Sequence, residues 1–325
     1  QCDWSSDVCS SDLCNLHCAP GLGNAMGALY NAKFSGAPLI VTAGQYEIGY
    51  GLQEPMLYEP LVRIADPLVK WAVEVPRVED LPRIIHRAAK TALAPPAGPV
   101  FISLPGSVLD DTANVDRGTR TRIDANVRPT DEALQTVARK VLAARNPAII
   151  AGKELADHDA FAAAQAFAEL AGVAVYLEPV PYNARFPSEH IANMGDLTRS
   201  QPKVRQTLER HDLIVCLGAD LLRMSPFSSV DPLPHAVPVV HITDRAAELG
   251  KNYATDVALC ANVKATLQAL LPVLRGMQSE AHAQEARHRL EQLATRNWSA
   301  QRVRARAEAQ QLAVTNPIDP RYLMA

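Results

Sequence analysis

The 325-residue chain has no apolar run near the roughly 18 residues that a membrane-spanning helix needs. It also has no basic-then-apolar start of the kind that marks a secretory signal. These two absences predict a cytoplasmic protein without a membrane partner. Charge of one sign is lacking too: the formal net charge is −3 and the pI about 6.3. A nucleic-acid partner would want a concentrated positive field, so none is expected. Paired thiols at metal-ligand spacing are also missing. Of six cysteines, Cys2, Cys9, Cys14 and Cys18 crowd the first eighteen residues, yet no Cys-x-x-Cys occurs among them. Cys216 and Cys260 lie in apolar, strand-like runs and read as small core residues.

What is present is ordinary for a globular enzyme, with 48% hydrophobic and 21% charged residues over a length that suits two domains. Residues 1–13 stand apart. They repeat Ser-Ser-Asp, show neither helical nor strand periodicity, and resemble translated adapter read-through, so they are set aside as a non-native leader.

From residue 14 to 110 helix and strand alternate: helix Gly21–Ser35, strand Leu39–Ala43, strand Lys70–Val75, helix Val78–Leu93 and strand Val100–Leu104. Leu81, Ile84, Ile85 and Ala88 define the apolar face of the second helix, and Trp71 is expected in the core. Residues 111–129 are polar and read as a linker.

A second unit, 130–275, opens at Thr130, followed by Asp131 and Glu132 as a helix start. It runs helix 131–144, strand Ala148–Ala151, helix 159–171, strand Val173–Leu177, helix 202–210, strands Leu213–Leu217 and Val237–Ile242, and helix 262–274. Continuous apolar strands separated by helices predict an α/β protein with two doubly wound parallel sheets, the second Rossmann-like. No Gly-x-Gly-x-x-Gly follows a strand there, so a structural role is favoured over nucleotide binding. Residues 276–325 read as a helical connector: a long polar helix at 278–311, a break at Asn316–Pro320, and the first turn of another helix. Within it, Arg302–Arg306 is expected to be a solvated face.

The most informative stretch is His17-Cys-Ala-Pro-Gly-Leu-Gly-Asn-Ala-Met-Gly27. A histidine precedes a Gly- and Pro-rich turn that opens a helix, whose outward amides favour an anionic or polar ligand. Its imidazole can donate or accept a proton near neutral pH, or simply cap the turn. Pro20, Gly21 and Asn24 shape either a ligand wall or an ordinary turn. Gln45, at the carboxyl end of a strand, is either a ligand contact or a surface amide.

This stretch, together with Pro38–Gln45, Pro67-Leu-Val-Lys-Trp71, Gly98–Pro105, His211–Gly218 and Val239–Asp244, resembles the thiamine-diphosphate enzymes. The resemblance is nearest to benzoylformate decarboxylases and more distant to acetolactate synthases. It implies a partial pyrimidine-binding domain over 14–110, a central domain over 130–275 and a connector to a diphosphate-binding domain that lies outside the chain.

The implied activity is that of a 2-keto-acid decarboxylase or carboligase, a carbon–carbon lyase. The cofactor ylide would add to the keto carbon, carbon dioxide would leave, and the enamine would be protonated. Implied site residues are His17 for proton transfer, Pro20, Gly21, Asn24 and Gln45 toward the cofactor, and Ser225 in the substrate pocket, where the family carries a second histidine. Implied cofactors are thiamine diphosphate and Mg²⁺. The metal motif Gly-Asp-Gly is missing, since Gly195-Asp196 runs on to Leu197, and so is the family's upstream glutamate. FAD in the central domain is possible in the family but not indicated here. The implied partners are a 2-keto acid and further copies of the chain, as a homodimer or homotetramer. The alternatives are a flavin-containing acetolactate-synthase-like carboligase and a non-catalytic nucleotide-binding α/β protein.

Overall fold

The computed structural model describes residues 12–119, 121–180, 182–313 and 318–324, which fall into two units, Gln1–Ala125 and Asn126–Ala325. The division lies within the polar stretch 111–129.

In the first unit four parallel strands stand in the order β1-β2-β4-β3: β1 Asp12–Leu16, β2 Leu39–Gln45, β3 Ala72–Glu74 and β4 Val100–Pro105. Helices α1 Cys18–Ser35 and α2 Leu61–Ala65 cover one face, α3 Leu81–Leu93 covers the other, and α4 Gly106–Leu109 follows β4. The two-residue period of a strand divides β4 between the faces. Phe101 packs with Leu22, Leu29 and Leu61, whereas Val100 and Ile102 pack with Ile84, Ala88 and Ala92. Each fully buried side chain of this size contributes about 1.5–3 kcal/mol.

In the second unit six parallel strands run β10-β9-β8-β5-β6-β7: β5 Pro147–Ala151, β6 Ala174–Leu177, β7 Asn193–Asp196, β8 Leu213–Leu217, β9 Val239–Thr243 and β10 Val257–Cys260. Its helices are α5 Asp131–Ala143, α6 Glu154–Asp157, α7 Phe161–Ala171, α8 Gln201–Leu208, α9 Val263–Met277, α10 Glu280–Ala294, α11 Trp298–Gln310 and α12 Pro320–Met324. Residues from α5, α7, α9 and α10 pack on one sheet face, and Val204 and Leu208 of α8 on the other. Both units are therefore parallel α/β layers covered on two faces, as the pattern predicts.

Thr130 caps α5 as read from sequence, its side chain accepting from the Ala133 amide at 3.3 Å. Several expectations are corrected. Asp12 and Leu13, set aside with the leader, begin β1 and pair with Leu39 and Ile40, while residues 1–11 lie outside the described residues. Helix α1 starts at Cys18 rather than Gly21, so His17 is its cap residue. Ile85 is exposed, because the buried face of α3 runs through Ile84, Ala88 and Ala92 at helical spacing. Trp71 is only half-buried, and the Arg87 guanidinium lies 4.6 Å from its ring centroid. Cys260 is exposed because β10 is an edge strand, whereas Cys216 in β8 is buried as expected. The long helix of 278–311 is two helices, broken where Asn297 accepts from the Ala300 amide and starts α11.

Candidate functional site

In the first unit the chain leaves β1 through His17 and enters α1 at once. His17 keeps an extended backbone (φ −102°, ψ 105°), and its carbonyl accepts from the Gly21 amide at 2.9 Å. Cys18 turns the chain at φ +48°, a left-handed conformation uncommon outside glycine. Its buried thiol lies 4.0 Å from His17 Nδ1. The imidazole itself makes no cap hydrogen bond and is exposed, as are Pro20 on the first turn of α1 and Asn24 on the second. Gly21 sits half-buried between them, where an added Cβ would meet Leu16 and His17 in ordinary contact at 3.5–3.7 Å. The turn thus exposes an imidazole beside a helix N-terminus at the carboxyl edge of the sheet, the edge where parallel α/β folds place ligands.

Gln45, at the end of β2, behaves differently. It is buried, its amide nitrogen donates to the Glu59 carbonyl at 2.9 Å, and its oxygen accepts from the Tyr46 amide at 3.0 Å. Those contacts anchor the segment after β2, which leaves Ile48, Leu52 and Met56 exposed. Ser225 is exposed on a turn beyond β8 in the second unit.

The second unit holds a charged crevice that sequence reading missed. It forms at the carboxyl ends of β5, β6, β8 and β9, around the point where the strand order reverses between β5 and β8. Glu178, just past β6, is 5% exposed and accepts from the Lys153 amide after β5 (3.1 Å) and the Asp220 amide after β8 (3.3 Å). Glu154, 2% exposed, accepts from the Thr243 hydroxyl (2.5 Å), the Asp244 amide (3.1 Å) and Arg245 Nε (3.3 Å). Asp220 pairs with Arg245 and, at 2.9 Å, with Arg223, which also reaches Glu248. Burial pushes the Glu178 carboxyl up to about 7 against the pull of the Lys153 amide, Arg245 and Arg185. Burial, reinforced by Asp244, also raises Glu154 above the usual carboxylate range. The turns press together: a Cβ on Gly152 would lie 2.2 Å from the Gly218 carbonyl oxygen, and one on Gly218 would lie 2.4 Å from Glu154 Cβ. The crevice is closed by its own side chains.

Glu154, His158 and Asp244 bring one carboxylate or imidazole atom each within 4.8 Å, the sole such trio among the described residues. The hydrogen bonds decide against a metal there. His158 Nδ1 accepts from the Val263 amide at 3.1 Å, so the ring proton sits on Nε2 and faces Asp244 at 3.0 Å. A metal would need that nitrogen bare. No signal in the sequence marks the charged crevice as a whole, because its members follow four different strands, β5, β6, β8 and β9.

Residues 134–270 match the family model described as the central domain of thiamine pyrophosphate enzymes. The chain is 31% identical over 267 residues to benzoylformate decarboxylase of Pseudomonas aeruginosa, a match covering 80% of this chain and 50% of the relative. It is 26% identical over 274 residues to an acetolactate synthase of Mycobacterium bovis, covering 81% and 43%. The solved thiamine diphosphate-dependent 4-hydroxybenzoylformate decarboxylase of Rhodococcus jostii is 33% identical with a TM-score of 0.74, covering 81% of this chain and 50% of that one. The chain spans about half the length of these relatives. Each match is longer than the second unit, so the similarity runs into both units.

Proposed function

We propose that this chain, similar to thiamine-diphosphate enzymes through both its units, supplies the pyrimidine-facing and central parts of a 2-keto-acid decarboxylase or carboligase. In that reading residues 14–110 form the partial pyrimidine-binding domain, 111–129 the linker, 130–275 the central domain and 276–325 the connector. The observation that carries it is the turn at His17, an exposed imidazole at a helix N-terminus, within a chain similar to benzoylformate decarboxylase.

When bound, thiamine diphosphate supplies an electron sink that lets a 2-keto acid lose carbon dioxide. The first two turns of α1 would face one side of that group, with Pro20, Gly21 and Asn24 as its wall. Gln45 acts from behind, holding the segment after β2 through Glu59. The described residues do not fit a magnesium–diphosphate end: their one trio of candidate ligands carries a proton on the histidine nitrogen a metal would take. No step is derived through the metal.

His17 would deliver a proton to the carbon left by carbon dioxide, or hold the substrate carboxylate. Its exposed ring has room to do either, and solvent reaches it to restore the proton. Ser225 would line the substrate pocket, and a hydroxyl there can hydrogen-bond but cannot shuttle protons near neutral pH as imidazole does. That difference supports a substrate or partition between decarboxylation and carboligation distinct from that of the relatives. The assembly would be a cytoplasmic homodimer or homotetramer.

His17→Ala in the intact enzyme is expected to lower kcat with phenylglyoxylate by roughly 10²- to 10⁴-fold, the usual worth of a general acid or base. Unchanged turnover would remove His17 from the chemistry. The flavin-containing carboligase remains the second reading, on the 26% match to acetolactate synthase. A yellow purified protein would favour it, although the side chains filling the crevice speak against it.

A further inference from the structure

At the amino edge of the second sheet, opposite the charged crevice, lies a cleft of about 250 Å³ lined by Tyr176, Arg210, His211, Arg296, Gln301 and Arg304 among others. Its walls come from β6, the end of α8 and the start of α11. No carboxylate lines it among the described residues. The three guanidiniums make no ion pair among the described residues, and one hydrogen bond is found for them, from Arg304 to the Thr295 carbonyl at 3.4 Å. Most of their donors therefore face the cleft or solvent. The nearby Asp212 forms no ion pair with them; its carboxylate accepts from the Arg145 and Asn146 amides at 2.7 and 2.9 Å, and its single charge offsets only part of that of the three guanidiniums.

The floor is built and fixed. His211 is 6% exposed, its Nδ1–H donates to the Asn146 carbonyl at 3.0 Å, and its Nε2 accepts from the Tyr176 hydroxyl at 3.2 Å. The phenol oxygen keeps a lone pair but offers no proton. Burial, with Arg296 and Arg210, holds the His211 imidazole neutral against its carbonyl partner and Asp212. The positive field of these arginines thus reaches the floor of the cleft.

We propose that this cleft is a binding site for a small phosphate-bearing anion, held by Arg210, Arg296 and Arg304. Guanidinium is permanently charged and matches phosphate oxygens in a bidentate fork. The volume decides the size. At about 250 Å³ it is below the 300–1,000 Å³ of drug-sized ligand pockets, which suits inorganic phosphate or a short monoester rather than a dinucleotide. The site owes nothing to the proposed active site, since it lies wholly within the second unit and at the other end of its sheet.

The test is calorimetric titration of the chain with inorganic phosphate and, separately, glycerol 3-phosphate, against sodium chloride of equal ionic strength. Saturable binding with a dissociation constant on the order of 1 mM is expected. Arg296→Gln and Arg304→Gln should each weaken it by roughly 10- to 100-fold, the worth of a hydrogen bond to a charged group. Arg302→Gln, on the same helix but outside the cleft, should leave it unchanged. Circular dichroism checks that the exposed substitutions leave the fold intact. Equal affinity for glycerol 3-phosphate assigns the site to a monoester, and binding of inorganic phosphate alone assigns it to the free ion. No saturation by about 50 mM, or equal weakening by Arg302→Gln, overturns the proposal.

Discussion

A carboxyl group as deeply buried as that of Glu178 ionises only by giving up most of its hydration, and two backbone amides do not make up the difference. Its pKa of about 7 in the folded chain exceeds the ordinary 4.5, so between those values the folded state holds a proton that the unfolded chain has released. Stability from this group is fully present below pH 4.5 and disappears as the pH rises through about 7, a loss of about 3 kcal/mol. Urea unfolding of the parent and Glu178→Gln from pH 4.5 to about 8 should show the parent losing that amount relative to the variant. Parallel curves would mean that the carboxyl is not taken from water as described. Single residues also show where sequence reading reached and where it stopped. Cys216 and Cys260 stand in equally apolar runs, yet one is buried in an interior strand and the other exposed on an edge. Local sequence carries the strand but not its rank in the sheet.

At the scale of elements, the strongly periodic pieces were legible: α5 with its Thr130 cap, β5, α7, β8 and α9 follow from hydrophobic period and capping chemistry alone. The strands missed are short or polar. Asn193-Met-Gly-Asp carries no strand period and is assigned to no element from sequence, and only pairing with β6 makes it a strand. Asp12-Leu13 has too few residues beside a masking leader to show a period, and Leu39–Ala43 recruits it. The turn at His17 was visible because its residues are contiguous. The crevice was not, since Lys153, Glu178, Asp220 and Arg245 meet only when parallel strands end side by side. The turns after β5 and β8 carry their own prediction. Gly218 combines φ +59° with a 2.4 Å approach of an added Cβ to Glu154. Gly218→Ala should lower the unfolding free energy by about 3 kcal/mol, combining left-handed strain with overpacking. Gly23→Ala, with nothing within 4 Å of the added methyl, should be near neutral or slightly stabilising, since it lies inside a helix. Denaturant midpoints of the two variants check both.

For the molecule as a whole, residues 1–325 include the exposed turn at His17, which we propose faces the cofactor, but neither the Gly-Asp-Gly motif nor a described set of side chains fit to hold magnesium. Purified on their own, they are expected to release no carbon dioxide from phenylglyoxylate or pyruvate and to bind thiamine diphosphate weakly or not at all. Tight magnesium-dependent binding in a calorimeter would relocate the site within this chain. The strand order has a further consequence, for the ribosome. Strand β5 sits between β6, its near neighbour in sequence, and β8, which is translated much later, Pro147 waiting for Leu213 and Ala151 for Leu217. Until β8 emerges, the apolar strand β5 is paired on the β6 side only, and its other side is open. A translation pause that holds β8 inside the ribosome after β5 and β6 have left it would prolong that interval and raise the yield of insoluble chains, whereas a pause once β8 has emerged would not.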